Sequence, residues 1–418
     1  MTSSPTPSSI KSIVPAIVVA VLAVLALLLT LACAVLWMAL QRVSDAAPHP
    51  QPEASAAAQP APSTPTTATP TPEPTPDPFA ELEWIPLSDP RLEVRGFAFW
   101  DDAPGDFRRL PRESEPTLSP ALNLLARNTS GGRVLFRTNS SMLALRARYT
   151  SPPGMRNMHA FGQSGIDVYI DGVYRSTLAP RGKADARDIV IADIAVEERA
   201  ITLYLPLYMG LESLEVGLVP GASVVATTEP ATLPVIFYGT SITQGGCASR
   251  PGLSYPAMVS RELGIDFLNM GWSGQGVAQP EVLEWIAPLP AAAWVIHMGA
   301  NHRSAESLVE SIERMITAIR DKGPKDVPII CFTPILMTFE LPMSPTNPNP
   351  QPAMRVAVRE LIARLQAEGD TNLILVEGLE LLGPDDTDGM VDEIHPNDLG
   401  FRRIADGLIP VLREALDR

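Results

Sequence analysis

The sequence predicts a doubly wound α/β domain built on a parallel sheet, preceded by a β-sandwich, a proline-rich linker and an apolar N-terminal helix. Three observations carry this. From residue 230 onward, short apolar strands alternate with amphipathic helices, as in a parallel sheet covered on both faces. Between residues 79 and 229, short runs of period-two alternation recur with turn signals and no long helix, which indicates a sandwich of jelly-roll type. Ahead of both, Ile13 to Leu40 runs without a single charged residue.

Composition narrows the function. A chain of 418 residues suggests two or three domains. Its net charge is -15 and it has no basic run, which argues against nucleic acid, since phosphate binding needs clustered Lys and Arg. No G-x-G-x-x-G follows a strand and no G-x-x-x-x-G-K-[ST] occurs, so no cofactor is expected. Cys33, Cys247 and Cys331 have neither disulfide-framework nor zinc spacing. Cys247 and Cys331 read as buried free thiols, with a bridge between them as the alternative.

The elements follow in order. Residues 1–12 form a short tail. The apolar run 13–40 exceeds the roughly 20 residues that cross a bilayer, so it reads as an uncleaved membrane anchor. A cleaved signal peptide, and a lipoprotein box at Thr30-Leu31-Ala32-Cys33, are the alternatives. Lys11 and Arg42 flank the run, so charge barely orients it. Residues 41–78, with Ala46 to Pro78 built of Pro, Ala, Thr and Ser, cannot bury a core and read as an extended linker. Such a stalk places the remaining domains outside the cytoplasm, periplasmic or at the cell surface.

In the sandwich, strands are expected at Val94–Trp100, Arg133–Arg137, Met142–Tyr149, Ile166–Ile170, Asp188–Ile191, Ala200–Leu205 and Leu214–Leu218. Asp171-Gly172 marks a hairpin. Trp100, Tyr149 and Phe161 are core or sugar-stacking residues, core being the commoner role; His159 lies in a loop. In the second domain, strands are expected at Val235–Tyr238, Ile265–Asn269, Trp294–Met298, Pro328–Phe332 and Leu373–Val376. Helices fall between them, with clean 3.6-residue stripes such as Leu308, Ile312, Met315, Ile316 and Ile319.

Four features then fall at the C-terminal ends of those strands, where open α/β sheets bind ligands. Ser241 follows the first strand in Gly239-Thr240-Ser241-Ile242-Thr243-Gln244-Gly245-Gly246. Gly271 lies in Asn269-Met270-Gly271-Trp272-Ser273-Gly274, and Asn301 in Gly299-Ala300-Asn301-His302. Asp392-Glu393-Ile394-His395-Pro396 precedes the last helix. Together they are what acyl transfer requires. His395 can take the Ser241 proton, and Asp392 can fix the imidazole tautomer. The Ser241 and Gly271 N–H groups and the Asn301 amide can meet the oxyanion.

This set resembles the SGNH/GDSL hydrolase superfamily. The resemblance implies a flavodoxin-like sheet, Ser241 as nucleophile, His395 and Asp392 completing a triad, and an oxyanion hole of Ser241, Gly271 and Asn301. Gly165-Ile166-Asp167-Val168-Tyr169 resembles the Gly-x-Asp-Leu-Tyr motif of the sandwich in a two-domain group of that superfamily, whose members are expected to be esterases. One departure is that His302 stands where many members carry Asp. Arg250, Trp272 and His302 are candidate pocket residues, each with a plain structural alternative, as has Tyr255. His297 and His302 as metal ligands are set aside, since no carboxylate or cysteine lies at ligand spacing. The expected activity is a membrane-anchored serine esterase acting on a small-molecule or polysaccharide ester. An O-acyltransferase on a sugar hydroxyl and an inactive carbohydrate-binding protein are the alternatives.

Overall fold

The computed structural model describes residues 77, 79–180, 185–192, 197–341 and 349–417, which belong to one compact unit. The anchor expected over Ile13–Leu40 lies outside the described residues, as does the linker 41–78 apart from Asp77. Among the described residues no helix is long and apolar enough to cross a membrane.

Two antiparallel sheets form the first layer pair. One holds β1 (Glu83–Pro86), β4 (Leu143–Tyr149), β7 (Asp185–Ile191) and β9 (Leu211–Leu218), in the order β1-β9-β4-β7. The other runs β10-β3-β8-β5-β6 through β3 (Arg133–Thr138), β5 (Ile166–Ile170), β6 (Val173–Leu178), β8 (Arg199–Tyr204) and β10 (Val224–Ala226), with β2 (Glu93–Arg95) also on β3. Alternation does its work in β4, where Leu145 and Ala147 are buried while Arg148 points to solvent. They meet Val134 and Phe136 of β3 and Val168 of β5 in a shared core. Asp171 and Gly172 both adopt positive φ, 49° and 76°, as a two-residue hairpin between β5 and β6 requires. The strand expected over Val94–Trp100 stops at Arg95, because the rings of Phe97, Trp100 and Phe107 fold onto one another. Trp100 packs on that core and Tyr149 lies inside it, whereas Phe161 is 45% exposed.

The second part is a five-stranded parallel sheet: β11 (Val235–Gly239), β12 (Phe267–Gly271), β13 (Ala293–His297), β14 (Ile329–Phe332) and β15 (Leu373–Val376). Its order, β12-β11-β13-β14-β15, is the flavodoxin-like 2-1-3-4-5 pattern. Strand order reverses beside β11, so the crevice for a ligand opens at the C-terminal ends of β11 and β13.

The helices, in chain order, are α1 (Pro120–Ala126), α2 (Ala160–Ser164), α3 (Ser241–Gln244), α4 (Tyr255–Leu263), α5 (Pro280–Ile286), α6 (Ala305–Lys322), α7 (Gln351–Ala367), α8 (Gly378–Leu381) and α9 (Asp398–Leu416). One sheet face is covered by α5, α6 and α7, the other by α4 and α9. The apolar stripe of α6 is buried as its period demands. The first half is expected to hold no long helix, and α1 is a short one of seven residues. Ser119 caps it by accepting from the Leu122 N–H, Pro120 opens it, and Leu122 and Ala126 pack with Leu110 and Leu118 into the α5–α7 side of the sheet.

The two parts share polar contacts as well as this core. Asp266 accepts from Arg95 at 3.2 Å and Arg133 at 3.0 Å. The fully buried Gln244 donates to Asn128 Oδ1 and the Leu207 carbonyl, while its Oε1 accepts from the Ser273 N–H.

Candidate active site

The nucleophile candidate sits where β11 turns into a single helical turn. The Thr240 hydroxyl caps that turn by accepting from the Ile242 N–H, and Gly245 closes it in the left-handed conformation. This leaves Ser241 as the first residue of α3, at the crevice. Its Oγ lies 2.9 Å from His395 Nε2.

His395 is held by a tight reversal just before α9. Met390 pairs with Pro396, and the Val391 N–H donates to the His395 carbonyl. The reversal brings His395 Nδ1 to 3.0 Å from each oxygen of Asp392. Asp392 Oδ1 accepts from the Ile394 and His395 backbone N–H groups, and Oδ2 accepts from Asn157 Nδ2 at 3.0 Å. Burial alone would raise the Asp392 pKa, but the Asn157 amide, the two backbone donors and the imidazole outweigh it and hold it at about 2. Asp392 is therefore an anion at neutral pH. Its contribution to stability is present above about pH 4, the unfolded value, and is lost as pH falls towards 2.

Candidate oxyanion donors come from three segments. The Ser241 N–H, in the first turn of α3, has no intrahelical acceptor. Asn301 Oδ1 accepts from the Gly276 N–H at 3.0 Å, which fixes the amide and leaves its Nδ2 without a partner among the described residues. Gly271 does not fit the expected role. Its N–H donates to Asn269 Oδ1 at 2.9 Å, and a Cβ there would stand 2.1 Å from the Gln244 backbone nitrogen. Gly271 is the point where β12 passes against α3, and the space allows only glycine. Three residues on, the Gly274 N–H donates to no other described residue, and a Cβ there would meet nothing within 4 Å.

The expected pocket residues are mostly structural. Trp272 is fully buried in the core under α5 and α6, with the Arg109 guanidinium 4.3 Å from its ring. Arg109, itself buried and without a carboxylate partner among the described residues, donates to the carbonyls of Leu125, Asn269 and Gly271; burial pushes its pKa down to about 9. Tyr255 is core, its hydroxyl 2.9 Å from that of Thr243. His302 and His297 are buried, and burial lowers both pKa values to about 4, so each is neutral.

Arg250 is a clamp rather than a pocket residue. Its Nη1 donates to Asp167 Oδ2 at 2.8 Å and to the Tyr169 hydroxyl at 2.7 Å, and its guanidinium lies 3.7 Å from the Tyr174 ring centroid. Asp167, with no exposed surface, also accepts from the Gly252 N–H and the Thr177 hydroxyl. The Asp and Tyr of the Gly-Ile-Asp-Val-Tyr run thus grip the loop that follows the nucleophile. Asp167→Ala leaves Arg250 facing a desolvated gap. Removing one partner of a buried pair costs about 3 kcal/mol, measurable by urea denaturation. Stability within 1 kcal/mol of the unaltered protein would sink this account.

Sequence reasoning missed the groups that the sandwich sends to the site. Asn157 reaches Asp392, and the Tyr208 hydroxyl donates to the Ser241 carbonyl at 3.3 Å. Neither lies at a strand end or in a recognisable motif, so only tertiary structure brings them in. Cys247 is a further surprise: its sulfur and ligand atoms of Asp392 and His395 lie within 4.8 Å of one another. Burial, with Asp392 adding, pushes its thiol up to about 12, and both imidazole nitrogens are engaged by Ser241 and Asp392. The cluster suits a hydrogen-bond relay better than a cation. Cys247 and Cys331 are both free thiols. A cavity of about 440 Å³ lined by Arg95, Arg133, Tyr204, Arg261 and Asp266 lies at the other end of the parallel strands and includes none of Ser241, Asn301, Asp392 and His395.

Comparison with known proteins agrees with this geometry. Residues 232–413 match the GDSL-like Lipase/Acylhydrolase family, and residues 82–224 match the N-terminus of Esterase_SGNH_hydro-type proteins. A protein of Bacteroides ovatus described as a GDSL-like lipase is similar at 29% identity and a TM-score of 0.72, covering 80% of this chain and 98% of its own. A salicylyl-acyltransferase from a tetracycline biosynthetic pathway shares the fold at 24% identity and a TM-score of 0.67, over 80% and 98% of the two chains. So does an acetyl xylan esterase of Butyrivibrio proteoclasticus, at 14% identity and a TM-score of 0.55, over 80% and 99%. No curated protein matches the chain.

Proposed function

The chain belongs to the SGNH/GDSL hydrolase superfamily and acts on ester bonds, and from that premise we propose a membrane-anchored, extracytoplasmic serine esterase that removes acetyl or other short acyl groups from carbohydrates. The observation that carries the reading is the continuous relay from Ser241 Oγ through His395 to Asp392, at 2.9 and 3.0 Å. As Ser241 Oγ attacks the ester carbonyl, its proton passes to His395 Nε2, and Asp392 stabilises the imidazolium. The tetrahedral oxyanion is met by the Ser241 N–H, Asn301 Nδ2 and, in place of Gly271, the Gly274 N–H. Collapse expels the alcohol, which takes the proton from His395 and leaves an acyl-serine. Water, deprotonated by the same imidazole, then releases the acid and restores Ser241.

The carbohydrate preference draws on the acetyl xylan esterase of the same fold. The same acyl-serine would pass its acyl group to a hydroxyl where an acceptor displaces water. The fold shared with the salicylyl-acyltransferase supports that second reading.

The full-length protein is tested with p-nitrophenyl acetate and acetylated sugars, with and without a free sugar acceptor, and by labelling with a fluorophosphonate probe. Hydrolysis, with the label mapped to Ser241, is the expected result; acylated acceptor as main product favours the second reading. Inactivity on every ester, or a label elsewhere, would overturn both. The anchor over Ile13–Leu40 predicts that the protein stays with the membrane pellet through alkaline carbonate extraction. Release into the supernatant would refute it.

A further inference from the structure

We propose that Asn157, carried by the β-sandwich, is a positioning residue that sets the orientation and charge of the Asp392 carboxylate; this rests on the triad reading above. The two oxygens of Asp392 are provided for differently. Oδ1 is held by two backbone N–H groups of its own turn, at 2.9 and 2.8 Å. Besides the imidazole, Oδ2 has Asn157 Nδ2, 235 residues away in sequence, at 3.0 Å. The Asp392 side chain is 35% exposed, so without that amide Oδ2 turns to water and the carboxylate loses its second anchor.

The loop that brings Asn157 is itself a built support. Gln163, buried in α2, accepts from the Gly154 and Met155 N–H groups and donates to the Met155 and Met158 carbonyls, one side chain holding the loop at four points. Met158, next to Asn157, is buried in the cluster that contains Cys247 and Ala248, on the loop that follows Ser241. The backbone on either side of Asn157 is thus held by Gln163 and by the buried Met158, and from this anchored loop the exposed Asn157 side chain donates to Asp392. A hydrogen bond to a charged acceptor is worth most when its donor is held in advance. The sandwich would then contribute to chemistry through Asp392, without touching the reacting atoms.

The test compares full-length Asn157→Ala, Asn157→Gln, Asn157→Asp and the exposed loop neighbour Arg156→Ala with the unaltered protein on p-nitrophenyl acetate. Asn157→Ala is expected to lower kcat about 10-fold with KM within about twofold, the worth of one hydrogen bond to a charged group. The acidic limb of kcat/KM should move up by about half a pH unit, because a carboxylate that has lost a donor binds the imidazolium more tightly. Asn157→Gln, which keeps an amide, should recover most of kcat. Asn157→Asp should move the limb further up, since a second carboxylate favours the protonated imidazole, and as an isostere it carries the test if Asn157→Ala fails to fold. Arg156→Ala should match the unaltered protein. Unchanged kcat and limb in Asn157→Ala, or a loss seen only in KM with the limb unmoved, overturns the proposal while leaving the esterase reading intact. An inactive unaltered protein, or a fully active Ser241→Ala, overturns both.

Discussion

Alanine at Ser241, or at His395, is expected to lower kcat/KM on p-nitrophenyl acetate by at least about 10³-fold. A serine hydroxyl at neutral pH is a poor nucleophile; its reactivity here depends on an imidazole 2.9 Å away that can accept its proton. Without the hydroxyl no acyl-serine forms, and without the imidazole neither attack nor protonation of the leaving alcohol is assisted. The two side chains act as a unit, so the double variant should be scarcely worse than either single one. Residual activity over water would come from the Ser241 N–H and Asn301 amide, which both variants keep. The variants are read by initial rates against a folded control, with circular dichroism to exclude collapse. More than a tenth of the activity left in Ser241→Ala would end the triad reading.

Gly271→Ala is expected to cost about 3 kcal/mol or more and to abolish activity in whatever protein stays soluble. The added methyl would stand 2.1 Å from the Gln244 nitrogen, with the Gln244 Cα and Thr243 carbonyl carbon at 2.6 and 2.7 Å. These are backbone atoms and cannot swing aside. Relief therefore means separating β12 from α3, the turn that aims Ser241. The variant also separates two roles for this residue, because alanine keeps the N–H that an oxyanion donor would need. If Gly271→Ala is stable and active, the packing account is wrong. Urea denaturation and turnover on the same sample decide it.

Much of this was legible in the sequence because strand–helix alternation and the stripe of α6 depend on local spacing. The stripe from Leu308 to Ile319 and the strand at Leu373–Val376 fall where the sequence pattern put them. Ser241, Asn301, Asp392 and His395 were readable as a set, since each lies in a short polar run just beyond a strand or before the last helix. What was not legible depends on tertiary contact. Two glycines share the Asn269–Gly274 run, and only the bond from the Gly271 N–H to Asn269 tells which of them is spoken for. Trp272 reads from the sequence as either pocket or core, and the sheet shows it turned inward under Arg109. For Arg250 the sequence leaves a substrate contact and a carboxylate pair equally open, and Asp167, 83 residues earlier, decides for the pair. The same holds for α1, whose apolar residues gave no sign that their partners lay beyond residue 230.

That last contact bears on the order in which the chain is made. Arg109, Leu110 and α1 leave the ribosome well before Asn269 and Gly271, to whose carbonyls Arg109 is bound across 160 and 162 residues. Synthesis at about 5–20 residues per second gives the sandwich strands time to pair while this segment still lacks its partners. Its apolar side chains and guanidinium must then wait for the strands of the parallel sheet, and contacts of such sequence separation are slow to close. In the order of synthesis, the carbonyls that satisfy Arg109 become available only once β12 has emerged.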